Sequence, residues 1–111
     1  MILVAGPYRS GTKGDPRLIH ANVQAMTLAA LELYRRGHLP VMGEWFALPL
    51  IAAAGGGGDA DEQIFHPIAE LVLARCDACL RIGGPSEGAD RMVDVARQLG
   101  KQVFTDMASI P

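Results

Sequence analysis

Apolar residues recur at helical spacing between residues 19 and 33. The positions that would share one helix face, in steps of four and three, are Ile19, Val23, Met26, Ala30 and Leu33. Asp15 precedes this run as a capping residue, and Pro16 would occupy the first helical position. Two arginines and Gly37 supply a basic last turn and a glycine stop. The pattern predicts a long helix that begins at Pro16 and stops before Gly37.

Four short apolar runs bounded by turn residues predict β-strands. They are Ile2–Gly6, His38–Gly43, Asp77–Ile82 and Gln102–Phe104, the second of which Pro40 places at an edge or a strand end. Residues 44–54 are apolar and either helical or irregular, with an interruption at Pro49. Further helices are predicted from Pro67 and after the turn at 83–84, the latter ending at Leu99 and Gly100.

Strands that alternate with helices and are apolar on both faces indicate a parallel sheet covered on both sides. The chain is therefore predicted to be α/β, and its 111 residues form a single domain spanning 1–111. In such open sheets, ligands bind beyond the carboxyl ends of the strands. We expect the segments that follow the four strands, at 6–11, 43–45, 83–90 and 105–107, to meet at one cleft.

Two of these segments are glycine turns suited to an anion. In the first, Gly6 and Gly11 border Tyr8, Arg9 and Ser10, which offer backbone N–H groups, two hydroxyls and a guanidinium. In the second, Gly83 and Gly84 precede Ser86, which can cap a helix whose first N–H groups, at Gly88 and Ala89, are free. Neither turn has a Walker A or GxGxxG pattern. They predict a phosphate site, with two ordinary turns as the alternative.

The candidates for acid–base chemistry are Glu44, Glu70, Asp90, Asp94 and His66. Asp94 is expected to form a solvated pair with Arg97. Glu44 follows the second strand and precedes Trp45, so we expect its carboxylate in the cleft beside an aromatic ring, with a raised pKa. Asp90 lies in the first turn of the last helix, near the anion turn. Both also suit the plain role of an acidic residue at a helix N-terminus. His66 is expected to cap the helix at Pro67, and Glu70 to lie on the surface.

Composition limits the partners and the compartment. The formal net charge is −2, half of the residues are apolar and a fifth are charged, which favours a folded domain and gives no reason to expect nucleic acid. No apolar run is long enough to cross a membrane, so a soluble cytoplasmic protein is expected.

Cys76 and Cys79 are interpreted as small buried residues rather than a redox or zinc pair. The glycine tract at 55–58 is interpreted as a linker or a lid. No cofactor and no metal are expected.

The order of these motifs resembles the nucleoside 2-deoxyribosyltransferase-like superfamily, which includes 2′-deoxynucleoside 5′-monophosphate N-glycosidases. The resemblance is carried by "MILVAGPYRSG", "RRGHLPV", "ARCDACLRI" and "PSEGADRMVDVARQLGKQV" and covers most of the chain except the tract around Gly55 to Gly58. It implies a Rossmann-like (flavodoxin-like) three-layer sandwich with four or five mainly parallel strands. It also implies chemistry at an N-glycosidic bond, and homodimers or larger oligomers that share their active sites. Tyr8 falls near a family active-site residue.

Two hallmark carboxylates of that family are missing. The glutamate of the pattern S/D-x-G-x-x-x-E-x-G-x-A, which attacks the sugar carbon, corresponds to Met92 when the chain is aligned on Ser86, Gly88 and Ala96. The family aspartate eight residues before the "D" of the third strand corresponds to Ala69. Met92 is predicted to point inwards with Ala89, Val93, Ala96 and Leu99, filling space without reacting.

Three hypotheses follow. The first is a site for a nucleoside monophosphate or sugar phosphate that hydrolyses an N-glycosidic bond, with Glu44 or Asp90 replacing the nucleophile and no covalent intermediate. The second is a non-catalytic nucleotide-binding or regulatory module. A phosphoribohydrolase is a third, although the glutamate of its glycine turn is again missing.

Overall fold

Helices and strands alternate along the chain in a computed structural model that describes residues 1–57, 59 and 61–111, apart from the side chains of residues 61 and 62. The strands are β1 (Ile2–Ala5), β2 (Pro40–Val41), β3 (Ala78–Arg81) and β4 (Gln102–Phe104). The helices are α1 (Pro16–Arg35), α2 (Gly43–Ala53), α3 (His66–Ala74) and α4 (Glu87–Gln98). One π-helical turn, Asp61–Phe65, leads into α3, and a 3-10 turn, Met107–Ser109, follows β4.

The four strands form one parallel sheet in the order β2-β1-β3-β4. Its register pairs Ile2 with both Pro40 and Ala78, and Ala78 with Gln102. Each strand is joined to the next by helical segments, as parallel pairing requires. The predicted α/β three-layer sandwich with a four-stranded parallel sheet is confirmed.

Alternate residues of β1 face two separate cores, because successive strand side chains point to opposite faces. Leu3 and Ala5 pack on one face with buried residues of α3 and α4. Ile2 and Val4 pack on the other face with α1 and with Ile110 near the end of the chain. The sheet is thus the middle of three layers.

Helix α1 begins as its sequence predicts. The Asp15 side chain accepts a hydrogen bond from the N–H of Arg17, and Pro16 occupies the first turn. Met26, Ala30 and Leu33 are buried along the predicted face.

Several predicted boundaries are wrong. The second strand is only Pro40–Val41, because Met42 already serves as the N-cap of α2. Pro49 lies inside α2 without ending it. Helix α4 ends at Gln98, so Leu99 becomes its C-cap and is half exposed rather than part of the inward face.

His66 is the first residue of α3 and not a cap at Pro67, which corrects a further prediction. Phe65 before it has helical angles, φ −60° and ψ −57°, because the π-helical turn continues directly into α3. The restriction that proline places on its predecessor is a preference, and a helix already formed overrides it here.

The first three glycines of the glycine tract end α2. Gly55, Gly56 and Gly57 all have positive φ, and the N–H of Gly56 donates to the carbonyl of Ile51. A left-handed glycine stop of this kind is common after a helix. Gly58 lies outside the described residues, so the interpretation of the whole tract as linker or lid stays a prediction. Among the described residues, no helix combines the length and the apolar character needed to cross a membrane.

Candidate functional site

A cleft of about 160 Å³ opens at the carboxyl edge of the sheet. The segments after β1, β2 and β3 line it, together with the start of α3. A protein cavity of about 150 Å³ can hold one benzene ring, so the enclosed part of this cleft has room for a single ring. Residues 105–107, which we expected here, are not part of the described lining. They follow the edge strand β4, where Met107 packs against the core beneath α1 instead.

The loop after β1 is held from behind by hydrogen bonds to its backbone. The amide nitrogen Nδ2 of Asn22, in α1, donates to the carbonyl oxygens of Tyr8 at 2.9 Å and of Ser10 at 3.4 Å. Thr12, which is buried, donates its hydroxyl to the carbonyl of Arg9 at 2.6 Å. The loop therefore presents the side chains of Tyr8, Arg9 and Ser10 to the cleft on a fixed backbone.

Arg9 and two aromatic rings form a stack on one side of the cleft. The Arg9 guanidinium carbon lies 5.7 Å from the centre of the Tyr8 ring, within cation–π range. The Tyr8 and Phe65 rings are stacked, with centroids 6.1 Å apart and planes 13° apart. Arg9 is exposed, so its charge is available to an anion entering from solvent.

The N-terminus of α4 forms the opposite part of the cleft. Ser86 is the N-cap, and its hydroxyl oxygen accepts from the N–H of Ala89 at 3.2 Å. The N–H of Ala89 is therefore engaged and not free as predicted, although the N-terminus of α4 still carries a positive partial charge. Ser86, Gly88 and Ala89 all line the cleft. This positive end of α4 therefore shares a cleft with Arg9 and Ser10.

The other predicted ligand-binding glycines have different positions. Gly6 lines the cleft at the end of β1. Gly11, Gly83 and Gly84 are exposed and outside the described lining. Gly83 has φ +80°, and a Cβ there would come within 2.6 Å of Cδ of Pro7. Gly83 thus allows the loops after β1 and β3 to touch.

Asp90 lies apart from the cleft. Its carboxylate accepts a hydrogen bond from Nε of Arg81 at 3.1 Å, and its side chain is largely exposed. Arg81 also donates to the carbonyls of Ile82 and Gly84. The Asp90–Arg81 pair therefore holds the turn before α4, and Asp90 is outside the described lining that includes Glu44.

Glu44 reaches into the cleft, as its place after β2 predicts. It is 7% exposed, and its Oε2 has no hydrogen-bond partner among the described residues. Burial raises the pKa of Glu44, and a hydrogen bond from its own backbone N–H opposes that rise in part. A carboxyl group with a raised pKa and an open oxygen is suited to proton transfer.

Trp45 does not provide the aromatic surface that we expected for Glu44. The indole is 45% exposed and outside the described lining. Successive helical residues point about 100° apart, and here Glu44 is buried in the cleft while Trp45 is turned towards solvent. The raised pKa of Glu44 comes from burial.

Phe65, at the end of the π-helical turn, and His66 and Ala69 of α3 also line the cleft. The sequence analysis considered His66 for acid–base chemistry and Ala69 as the position of a family carboxylate, but it gave Phe65 no role. His66 lies against the first turn of α4, since a Cβ at Gly88 would be 3.4 Å from Cε1 of His66. The signal was available in the sequence. A helix that leads into a parallel strand begins at the carboxyl edge of the sheet, so its first residues lie near the ligand site. Glu70 is partly buried and pairs with Arg91 at 3.4 Å, so it is not simply a surface residue.

The floor of the cleft is apolar where the family would have its carboxylates. Met92 and Ala69 are 5% and 3% exposed, and both line the cleft and pack in the same core. The predicted inward orientation of Met92 is confirmed. Ala69 approaches the start of α2 closely, because a Cβ at Gly43 would lie 3.0 Å from that of Ala69.

Cys76 and Cys79 are free thiols buried in the core, as interpreted from the sequence. Burial raises the pKa of Cys76, and it raises that of Cys79 to about 11. Both thiols are therefore protonated at neutral pH and unreactive. Across the described residues, no group of three or more histidine, cysteine, aspartate or glutamate side chains is placed to hold a metal ion.

Comparison of the chain with protein-family models and with curated proteins gave no match. The superfamily resemblance stays a prediction from the sequence motifs.

Proposed function

We propose that the cleft binds a nucleoside monophosphate or a related sugar phosphate. Arg9, Ser10 and the first turn of α4, with Ser86 and Gly88, would hold the phosphate. The observation that supports this is the convergence of a guanidinium and a helix N-terminus on one cleft, from loops far apart in sequence.

We further propose that Glu44 acts as a general base in hydrolysis of the N-glycosidic bond. Its carboxylate would take a proton from water as the water oxygen bonds to the anomeric carbon, while the bond from that carbon to the base breaks. The proton then passes to the leaving base. The unpaired oxygen of Glu44 and its raised pKa support this role, and Tyr8 lines the same cleft.

The second candidate is a binding or regulatory module without chemistry. It is favoured by the apolar floor, since Met92 and Ala69 offer neither a nucleophile nor a proton carrier.

Release of free base from a panel of ribo- and deoxynucleoside monophosphates separates the two candidates. Hydrolysis that is lost in Glu44→Gln and unaffected in Asp90→Asn supports the enzyme with Glu44 as base. Binding by calorimetry without base release from any member of the panel supports the module. No binding of any monophosphate contradicts both.

We propose that the chain forms a homodimer or larger oligomer through α2. Trp45, Phe46 and Leu50 are each nearly half exposed on this helix, and exposed apolar patches commonly mark interfaces. Light scattering tests the proposal: a dimer that Phe46→Glu converts to monomer supports it, and a monomer at micromolar concentration contradicts it.

We also propose that the protein works in the cytoplasm, because its two cysteines are unpaired and a reducing compartment keeps thiols in that form. Fractionation of cells that produce the protein tests this, and recovery outside the cytoplasm contradicts it.

A further inference from the structure

The open oxygen of Glu44 requires a hydrogen-bond partner from outside the described chain. Buried polar atoms in folded proteins are almost always hydrogen-bonded, and leaving one unpaired is unfavourable. Oε2 of Glu44 has no partner among the described residues, although the residue is only 7% exposed. Oε2 is itself buried, but Glu44 lines the cleft, so a ligand group that enters beside Glu44 could become its partner.

The surroundings of Glu44 indicate what kind of donor this is. Oε2 is the carboxyl oxygen of Glu44 that is buried without a partner among the described residues. A single open oxygen does not suit a guanidinium or a base edge that presents two parallel donors. Ala69, Ala89 and Met92 give the cleft an apolar floor, while Tyr8, Ser10, His66 and Ser86 also line it. A ligand that fills this cleft therefore needs an apolar face for the floor and a polar group for Oε2 of Glu44.

A hydroxyl fits Glu44 in both of its protonation states. It donates to the carboxylate when Glu44 is ionised, and it accepts from the carboxyl O–H when Glu44 is protonated. An ammonium group can only donate, so it fits the ionised form alone. The space of about 160 Å³ holds one ring, which agrees with a sugar carrying such a hydroxyl.

We propose that a secondary hydroxyl of the ligand's sugar ring hydrogen-bonds Oε2 of Glu44, so that the cleft selects hydroxylated pentose 5-phosphates over their deoxy analogues. This inference rests on the proposed sugar-phosphate site and names its substrate class. A site built to bond a hydroxyl discriminates strongly against an analogue without it, because the protein group is then left unpaired.

The test compares ribose 5-phosphate with its 2-deoxy and 3-deoxy analogues by isothermal titration calorimetry. At least one deoxy analogue should bind about tenfold or more weakly, as expected for a lost hydrogen bond to a charged group. Glu44→Met should bring the ratio of the two dissociation constants, deoxy analogue over ribose 5-phosphate, close to one. Glu87→Met is the matched control: Glu87 is exposed and outside the described lining, so the ratio should stay as in the parent.

The outcomes separate the inference from the function on which it rests. If both deoxy analogues bind within twofold of ribose 5-phosphate, or if Glu44→Met keeps the full ratio, the hydroxyl contact is wrong while the phosphate site stands. If none of the three binds at millimolar concentration, the sugar-phosphate site is wrong as well. Should Glu44→Met fail to fold, the comparison of the three ligands on the parent protein still decides.

Discussion

The side-chain amide of Asn22 bonds the carbonyl oxygen of Tyr8 at 2.9 Å and so ties the cleft loop to α1. A second, longer bond of 3.4 Å reaches the carbonyl of Ser10. Asn22 itself is outside the described lining. The shape of the loop that presents Arg9 thus depends on a residue that a ligand in the cleft does not contact.

Asn22→Ala should destabilise the fold and weaken ligand binding together. The substitution removes the half-buried amide donor, so the carbonyl groups of Tyr8 and Ser10 each lose a hydrogen bond. We therefore expect the free energy of unfolding to fall by about 1–2 kcal/mol. Urea denaturation measures this change, with Gln24→Ala, on the exposed side of α1, as the control. Equal stability of both variants and the parent contradicts an anchoring role for Asn22.

Arg9→Ala should weaken phosphorylated ligands and leave the parent nucleosides unaffected. The expected loss is about 1.5–3 kcal/mol, the range for a hydrogen bond to a charged group. Calorimetric titration checks it, and Arg17→Ala is the control because Arg17 pairs with Asp15 away from the cleft. An unchanged affinity of Arg9→Ala for a monophosphate rules out the phosphate contact.

Glu44 should make the protein less stable as the pH rises. Burial raises its pKa in the folded state above its ordinary value of 4.5, so the folded protein holds this proton more tightly than the unfolded chain. Below pH 4.5 the carboxyl is neutral in both states, and its burial carries no penalty for ionisation. Stability is then lost as the pH rises from 4.5 through the raised pKa, and the loss levels off above it.

Glu44→Gln isolates this effect, because its side chain does not titrate. The difference in free energy of unfolding, parent minus variant, should fall with rising pH in urea denaturation between pH 4 and 8. Hydrogen bonds from Arg17 and from the N-terminal ammonium lower the pKa values of Asp15 and Asp77, respectively. These two residues make the protein more stable as the pH rises, but they are the same in parent and variant and cancel in the difference. If the free energy of unfolding depends on pH in the same way in both proteins, Glu44 does not cause the loss of stability.

Gly83→Ala should be more destabilising than the same change at Gly100. Both glycines have positive φ, +80° and +71°, which costs an L-residue about 1–2 kcal/mol. Only at Gly83 would the new Cβ also meet Cδ of Pro7, at 2.6 Å, while at Gly100 it meets nothing within 4 Å. Thermal or urea denaturation of the two variants compares them. Equal losses of stability in the two variants would mean that the loops after β1 and β3 can move apart without an energetic cost.

The sequence predicts the fold better than it predicts the site, for physical reasons. The faces of α1 and α4 follow from helical spacing, which local pattern alone encodes. The lining by Glu44, Arg9 and Ser86 follows from the rule that strands end at one edge. The pairing of Asp90 with Arg81 and the exposure of Trp45 depend on side-chain directions in three dimensions, and no spacing rule supplies those.

Met92 should prevent a covalent sugar intermediate. Its thioether lies on the floor of the cleft, 5% exposed, where it can neither attack an anomeric carbon nor accept a proton. We therefore expect no adduct in mass spectrometry after incubation with a 2-fluoro-sugar nucleoside, and no base exchange between deoxynucleosides. Met92→Glu should lower the stability, because it buries a carboxyl group, whereas Met92→Leu conserves volume and should cost less than about 1.5 kcal/mol. A glycosyl adduct on the parent protein would show that another residue is the nucleophile and that the alignment on Met92 is wrong.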